Sequence, residues 1–399
     1  MTAVVDAREG PGQPTRAARP PLWRDVRVIR VVLQVVFAIA VVATISYLYS
    51  NLINNLTRQG IRTDFGYLDQ PAGFQILGSD FRAAQPVRDA LFVGLRNTAS
   101  VAGIGILFTT ILGILVGVAS LSTNWLVRKA ATFYVEALRN LPPLIVIVFM
   151  FTAVILRLPR IEDPAEWFGL AIWTNRTISF AAPSLVEGSG GFVVAVLLAL
   201  VAAIAVWAWR TWVNVRTGQP HHRVAFSVLV LVAIVVVAWL VMDRPVGIDR
   251  PEVAGRQLAG GWSMSANYAA VLFALVIYTA SYIAEIVRGS IQAVHRGQTE
   301  ASMALALSSF QRLRFVILPQ AFRIAIPAIG NQFLNLTKNS SLAIAVGFAE
   351  LTQVTLIVIG NGNPAPQSIT ILMLAYLFLS LVIALFTNIV NRRFQLVAR

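Results

Sequence analysis

Residues 278–342 read YTASYIAEIVRGSIQAVHRGQTEASMALALSSFQRLRFVILPQAFRIAIPAIGNQFLNLTKNSSL. Long apolar segments flank this stretch, yet it is rich in Arg, Gln and helix-capping residues, which marks an ordered, solvent-facing structure. Thr299 is placed to N-cap a short helix, with Glu300 meeting the positive helix end and Met303, Ala304 and Leu307 at helical spacing. Ser308 and Gln311 form an S-x-x-Q capping box that starts a second helix. Phe310, Leu313, Val316 and Ile317 give that helix an apolar side, Arg312 and Arg314 lie elsewhere, and Pro319 stops or kinks it. The pattern predicts a helix-turn-helix against the ends of the apolar segments, where something from outside them docks.

Composition sets the class. Of 399 residues, 57% are hydrophobic and 13% charged, and mean hydropathy is +0.71. Such a chain cannot cover a soluble surface with polar groups, and several runs exceed the roughly 18 apolar residues that mark a spanning helix. The net charge of +14 comes from arginines scattered between apolar segments, so it sets membrane orientation and excludes a nucleic-acid partner. No cysteine is present, which removes disulfide, thiol and iron–sulfur chemistry. His221, His222 and His295 sit in basic loops without metal spacing.

Eight spans are predicted, at Val31–Tyr49, about Phe92–Leu121, Ala131–Leu156, Phe192–Trp209, Val224–Val241, Tyr268–Val287, Ser340–Ile359 and Ile369–Val390. Asn51–Arg88, Arg157–Glu187 with Trp167 and Trp173, and Asp243–Ser265 are expected as exposed far-side loops. Gly113-x-x-x-Gly117 suits a close helix contact. An even number of spans puts both termini on one side, with the basic clusters at 128–129, 210–223 and 288–323, which makes that side cytoplasmic.

Catalytic chemistry has no foothold. The two lysines, Lys129 followed by Ala and Lys338 followed by Asn, cannot complete a G-x-x-x-x-G-K-[ST] phosphate loop, so an ATPase would be another polypeptide. No Ser-His-Asp, zinc or paired-carboxylate set is present, and no enzyme is expected. Charged residues near the spans are the informative ones. Glu136 and Arg139 lie one helical turn apart, either as an internal ion pair or as lining of a pathway interrupted at Asn140-Leu141-Pro142-Pro143. Lys338 with Asn339, Ser340 and Ser341 opens the seventh span, either as a snorkelling lysine with a serine cap or as an anion-facing helix start. Glu285 and Arg288 read as interfacial or structural, and Asn97 as a helix cap or a pathway residue.

Glu300-Ala301-Ser302 and Ile317-Leu318-Pro319 resemble the E-A-A and I-x-L-P ends of the cytoplasmic loop of ABC-importer membrane subunits. Ala306 stands where that family usually has Gly, so either the first helix runs longer or Ser308 and Ser309 build the turn. Ala280–Gly289, Gly297-Gln298, Leu336–Leu342, Gly94–Thr98 and Tyr134–Pro142 resemble the polar amino-acid branch, the histidine/glutamine-type permeases, across roughly residues 90 to 156 and 265 to 395.

The resemblance implies an all-α polytopic inner-membrane protein with the type I ABC-importer transmembrane-domain (MetI-like) fold and about eight transmembrane helices. It divides the chain into a basic cytoplasmic tail (1–30), a first transmembrane helix with a periplasmic loop (31–87), a first core part (88–156), an inserted segment with two extra helices (157–264) and a second core part (265–395) holding the coupling loop at about 290–335.

It implies import of L-amino acids from periplasm to cytoplasm, with a broad-specificity form as the nearest branch. ATPase coupling would run through Glu300, Ala301, Ser302, Ala306, Leu307, Ile317 and Pro319, and the substrate pathway past Glu136, Arg139, Asn97, Lys338, Asn339, Ser340 and Ser341. The implied partners are an ABC ATPase dimer carrying ATP and Mg, a second homologous permease in a heterodimer, a periplasmic amino-acid-binding protein and the lipid bilayer. No cofactor is expected on this chain. The competing class is an ion-gradient-driven secondary transporter, which calls for acidic or histidine relays that are sparse here.

Overall fold

The computed structural model describes residues 26–60, 64–185, 190–218, 222–242, 246–255 and 257–394. Residues 1–25 of the expected basic tail, His221, Asp243 and Arg399 lie outside the described residues. Two compact units result, residues 1–65 and 66–399. In the first, α1 (Val26–Arg58) is a 33-residue helix that outruns the expected Val31–Tyr49 span at both ends. Its Thr44 and Thr57 hydroxyls donate to the carbonyls of Ala40 and Ile53, so these polar groups are satisfied within the helix.

In the second unit, α2 (Val87–Ala119) is followed by α3 (Trp125–Arg139) and α4 (Pro143–Phe149), which runs on through a π turn and a 3-10 turn to Arg157. Four short strands follow, β1 (Ala165–Trp167), β2 (Ala171–Trp173), β3 (Thr177–Phe180) and β4 (Ala182–Leu185). Helices α5 (Gly190–Thr217) and α6 (Arg223–Val241) form a hairpin. Strands β5 (Val246–Asp249), β6 (Glu252–Ala254), β7 (Gln257–Ala259) and β8 (Trp262–Ser265) lead into α7 (Ala266–Gln292). The chain finishes with α8 (Arg296–Ala304), α9 (Ser309–Arg312), α10 (Leu318–Asn339), α11 (Leu351–Gly360) and α12 (Ala365–Phe394).

The core is built on α7. Two thirds of its most apolar window (67%) is buried inside the protein, whereas no residue in the corresponding windows of α6 and α12 is fully buried, and their outward apolar faces are left for lipid. Its Val271, Leu275 and Ile283 are fully enclosed, and α2 lies closely along it. Glycine makes that approach possible. A Cβ on Gly113 would stand 2.6 Å from Ile283 Cβ, and one on Gly117 would stand 2.8 Å from the Ala284 carbonyl and from Val287 Cβ.

Seven described helices are long and apolar enough to cross a membrane, and up to eight if each bent helix pair counts as one span. The bent pair is α3–α4, which turns by 104° at its break, Asn140 to Pro142. Asn140 ends α3 and Pro143 supplies the first turn of α4, where its missing N–H costs nothing.

The seventh span is the main correction. It runs from Ser309 to Val346 over 38 residues, not from Ser340 to Ile359. Pro319 neither stops nor ends it, because a π turn at Leu313–Ile317 precedes the proline and the helix continues through it. Ser340 is therefore the C-cap of α10, and Lys338 lies exposed in its last turn. The carbonyl end of the helix faces the lysine there, so the anion-facing helix start does not exist.

Residues 66–86, expected as exposed loop, instead fold down: Tyr67, Ala72, Ile76 and Phe81 are buried with Val87 and Leu91 of α2 and with Leu351, Val354 and Val358 of α11. The predominantly helical fold also carries β structure that periodicity did not announce. Strands β1-β2-β3-β8 form an antiparallel sheet, and β4 pairs with β5. Both the β3–β8 and β4–β5 pairings join the chain before the α5–α6 hairpin to the chain after it. They clip the hairpin shut at its base, so it leaves and rejoins the core at one place.

Candidate functional site

At the far end of α7 from this sheet, the chain leaves the bundle as a capped helical pair. His295 caps α8, its Nδ1 accepting from the Gly297 amide at 3.1 Å. The helix thus begins three residues before Thr299, which lies inside it together with Glu300. The expected Thr299 cap and the first-turn placement of Glu300 are corrected accordingly. At its other end, Ala306 takes the left-handed conformation (φ 56°), its amide bonding the Met303 carbonyl and that of Leu307 the Ser302 carbonyl. Those two bonds are a Schellman motif with alanine in the position that favours glycine.

Ser308 and Gln311 then close the expected capping box, with the Gln311 amide donating to Ser308 Oγ and the Ser308 amide to Gln311 Oε1. Gln320 Nε2 of α10 donates to Gln298 Oε1 of α8 at 3.2 Å, tying the two helices together. Glu300, Ala301 and Ala306 are exposed, Leu307, Ile317 and Pro319 half-buried, and Ser302 buried with its hydroxyl on the Thr299 carbonyl. Met303, Leu305, Phe310 and Phe315 are exposed beside them, Leu305 at 75%. An exposed apolar surface beside capped helices, such as Met303 and Leu305 present on α8, is of the kind that a protein partner covers.

At the opposite end of α7 lies a cavity of about 760 Å³. Its walls are the start of α2 (Asp89, Phe92, Arg96, Asn97, Ser100), the start of α7 (Asn267, Tyr268), the loop 77–85 with Asp80, and residues 347–349. Asn97 Nδ2 donates to the Ala349 carbonyl and Asn267 Nδ2 to the Val346 carbonyl, both at 2.8 Å, so two amides pin that last wall. Asn97 lies inside α2 and is not a helix cap. Ser100 and Tyr268 share a hydrogen bond of 2.8 Å, and Tyr268 meets Phe348 edge to face. Behind the wall, the fully buried Glu350 carboxylate accepts from the Thr352 and Gln353 amides and from Tyr376 Oη, which fixes the start of α11. Arg96 forms no ion pair among the described residues.

The remaining sequence-derived residues fall elsewhere. Arg139 pairs with Glu285 of α7 at 3.9 Å and not with Glu136, and Glu285 also holds Arg288 at 2.6 Å. The cluster joins α3 to α7, and Tyr282 Oη donates to the Arg139 carbonyl from the same side. Glu136 is exposed. Ser340 and Ser341 hydroxyls bond back to the carbonyls of Thr337 and Lys338, and Asn339 is half-buried.

Residues 191–396 match the family described as "Binding-protein-dependent transport system inner membrane component", and that is more than half of the chain. The chain belongs to this family. The permease is 36% identical to the putative amino-acid ABC transporter permease protein YhdX of Escherichia coli over 92% of its own length and 94% of the relative. It is 38% identical to the general L-amino acid transport system permease protein AapQ of Rhizobium johnstonii over 92% of both chains. A third relative, the glutamate/glutamine/aspartate/asparagine transport system permease protein BztB of Rhodobacter capsulatus, is 34% identical across 94% of the permease and 96% of itself.

Of the cavity residues, sequence reasoning singled out Asn97 alone. Arg96 stood next to it in the quoted Gly94–Thr98 stretch, and an arginine near a span start was the available signal. Ala306 gives the permease a local test. The left-handed conformation costs a non-glycine residue about 1–2 kcal/mol. Ala306→Gly is expected to slow hydrogen exchange at the amides of residues 306 and 307 by about fivefold, as the turn opens less often. Unchanged exchange would show that the turn is unstrained.

Proposed function

We propose that the permease is the transmembrane subunit of an ATP-driven importer that moves L-amino acids from periplasm to cytoplasm. ATP and Mg are bound and used by a separate ABC ATPase dimer docked on the α8–α9 pair. A periplasmic amino-acid-binding protein delivers substrate to the cavity, and a second, homologous permease subunit completes a heterodimer. Both termini then face the cytoplasm, as the positions of the arginine clusters support.

One observation carries this reading. The cavity and the exposed helical pair sit at opposite ends of α7, a continuous 27-residue helix about 40 Å long that is also the most buried element. A rigid, buried rod is suited to convert movement of the pair into movement of the cavity wall, provided the pair binds two ATPase states with different free energy. The cavity's chemistry fits an amino acid: Arg96 faces a carboxylate, Asp80 and Asp89 an ammonium, and Phe92, Tyr268 and Phe348 an apolar side chain. The names of the near-full-length relatives support the same substrate class.

The test is uptake into vesicles containing the permease. Radiolabelled amino acid is expected to accumulate only when the second permease, the ATPase, ATP and the binding protein are all supplied. Accumulation driven by a proton or sodium gradient without them would replace this reading with a secondary transporter.

A further inference from the structure

The α5–α6 hairpin has no role in the reading above, yet its turn end has a distinct chemistry. From Gly190 to Met242 the chain contains no carboxylate, while Arg210, Arg216, Arg223 and His222 gather where the two helices meet. Each arginine is laid on an aromatic ring. The Arg210 guanidinium lies 3.4 Å from the ring centre of Phe226 across the hairpin, Arg216 lies 3.8 Å from Trp212, and Arg223 lies 5.9 Å from Trp207 of the other helix. Stacking fixes the plane of the exposed Arg216 and Arg223 guanidiniums while leaving their N–H edges turned outward, the arrangement that suits bidentate bonding to a phosphate.

The position selects the source of that phosphate. No residue in the most apolar window of α6 is fully buried in the protein, so the face of α6 turned away from α5 is left for hydrocarbon. Trp207, Trp209 and Trp212 are exposed at 41%, 58% and 52%, forming an aromatic girdle at the end of the apolar run. Arg216 in the last turn of α5 and Arg223 at the start of α6 are exposed just beyond that girdle, at the depth of a headgroup layer. We propose that this end of the hairpin is a binding site for the phosphate of anionic phospholipids in the surrounding bilayer. A role confined to setting orientation during insertion would need positive charge there, but not guanidiniums stacked across two helices.

The experiment uses full-length permease in mixed phosphatidylcholine–phosphatidylglycerol nanodiscs, with native mass spectrometry of the retained lipid. Wild type is expected to enrich phosphatidylglycerol, and Arg216→Gln and Arg223→Gln each to lower that enrichment about fivefold. Arg392→Gln with Arg393→Gln, at the end of α12, should leave it unchanged. Trp212→Leu keeps every charge and is expected to lower enrichment through loss of the stacked geometry. No enrichment by wild type, equal losses from the α12 variant, or a Trp212→Leu protein indistinguishable from wild type would each overturn the proposal.

Discussion

Gly113→Ala combined with Gly117→Ala is expected to leave little folded permease, while Gly103→Ala in the same helix is tolerated. The two kinds of glycine differ in what a methyl group meets. At Gly103 it meets nothing within 4 Å, and alanine is the better helix former by about 1 kcal/mol, so stability should hold or rise slightly. At Gly113 the methyl would stand 2.6 Å from Ile283 Cβ and Cγ2, and at Gly117 it would stand 2.8 Å from the Ala284 backbone oxygen. Ile283 Cβ and the Ala284 oxygen are branch-point and backbone atoms that no rotamer change can remove. Helices α2 and α7 would have to separate, and overpacking of this kind costs about 1–3 kcal/mol per site. In a bilayer that loss is not recovered elsewhere, because lipid tails are as apolar as the interface they replace and close packing is the attraction. Denaturation of purified protein in mixed micelles is the measurement. Equal midpoints for the double variant and for Gly103→Ala would mean that the α2–α7 contact does not hold the core together.

How much of this was legible in the sequence depended on the range of the interaction. The Ser308–Gln311 box and the break after Arg139 are encoded within a few residues, and both were read correctly. His295 was passed over as a cap because Ser, Thr, Asp and Asn are the usual choices, and Thr299 lay close by. The Lys338–Ser341 stretch read as a helix start because serine favours N-caps, but the Ser340 hydroxyl bonds back to Thr337 and finishes a helix instead. Nothing local distinguishes those two uses of serine. The eight strands among the described residues, each of three or four residues, are too short to show alternation, and the two pairings that cross the α5–α6 hairpin, β3–β8 and β4–β5, are visible only once the chain has folded. The cavity is non-local in the same way, since Arg96, Asn267 and Phe348 come from three distant segments.

Glu300→Arg tests the proposed link to a motor more sharply than any change in the bundle, because Glu300 contributes little to the fold. It is exposed and forms no ion pair among the described residues, so its reversal should leave insertion and thermal stability as they were. Between Glu285 and Glu350 it is nevertheless the sole carboxylate, set among Arg296, Arg312, Arg314 and Arg323. A lone negative charge on a basic, apolar-edged surface fixes the register of a partner bearing a matching cation. Reversing a charge at the heart of an interface costs about 2–5 kcal/mol, mostly by leaving the partner's cation buried and unpaired, which is at least a tenfold weakening. Reconstituted with its ATPase, the Glu300→Arg permease is therefore expected to lose at least nine tenths of ATP-driven uptake at limiting ATPase, with Glu300→Gln intermediate. ATP hydrolysis by the complex should also stop responding to loaded binding protein, a readout that a merely misfolded loop would not separate from loss of assembly unless thermal stability were measured alongside. Uptake at the wild-type rate by a stably inserted Glu300→Arg protein would move the docking surface off α8, and the 40 Å rod of α7 would lose the input that its position implies.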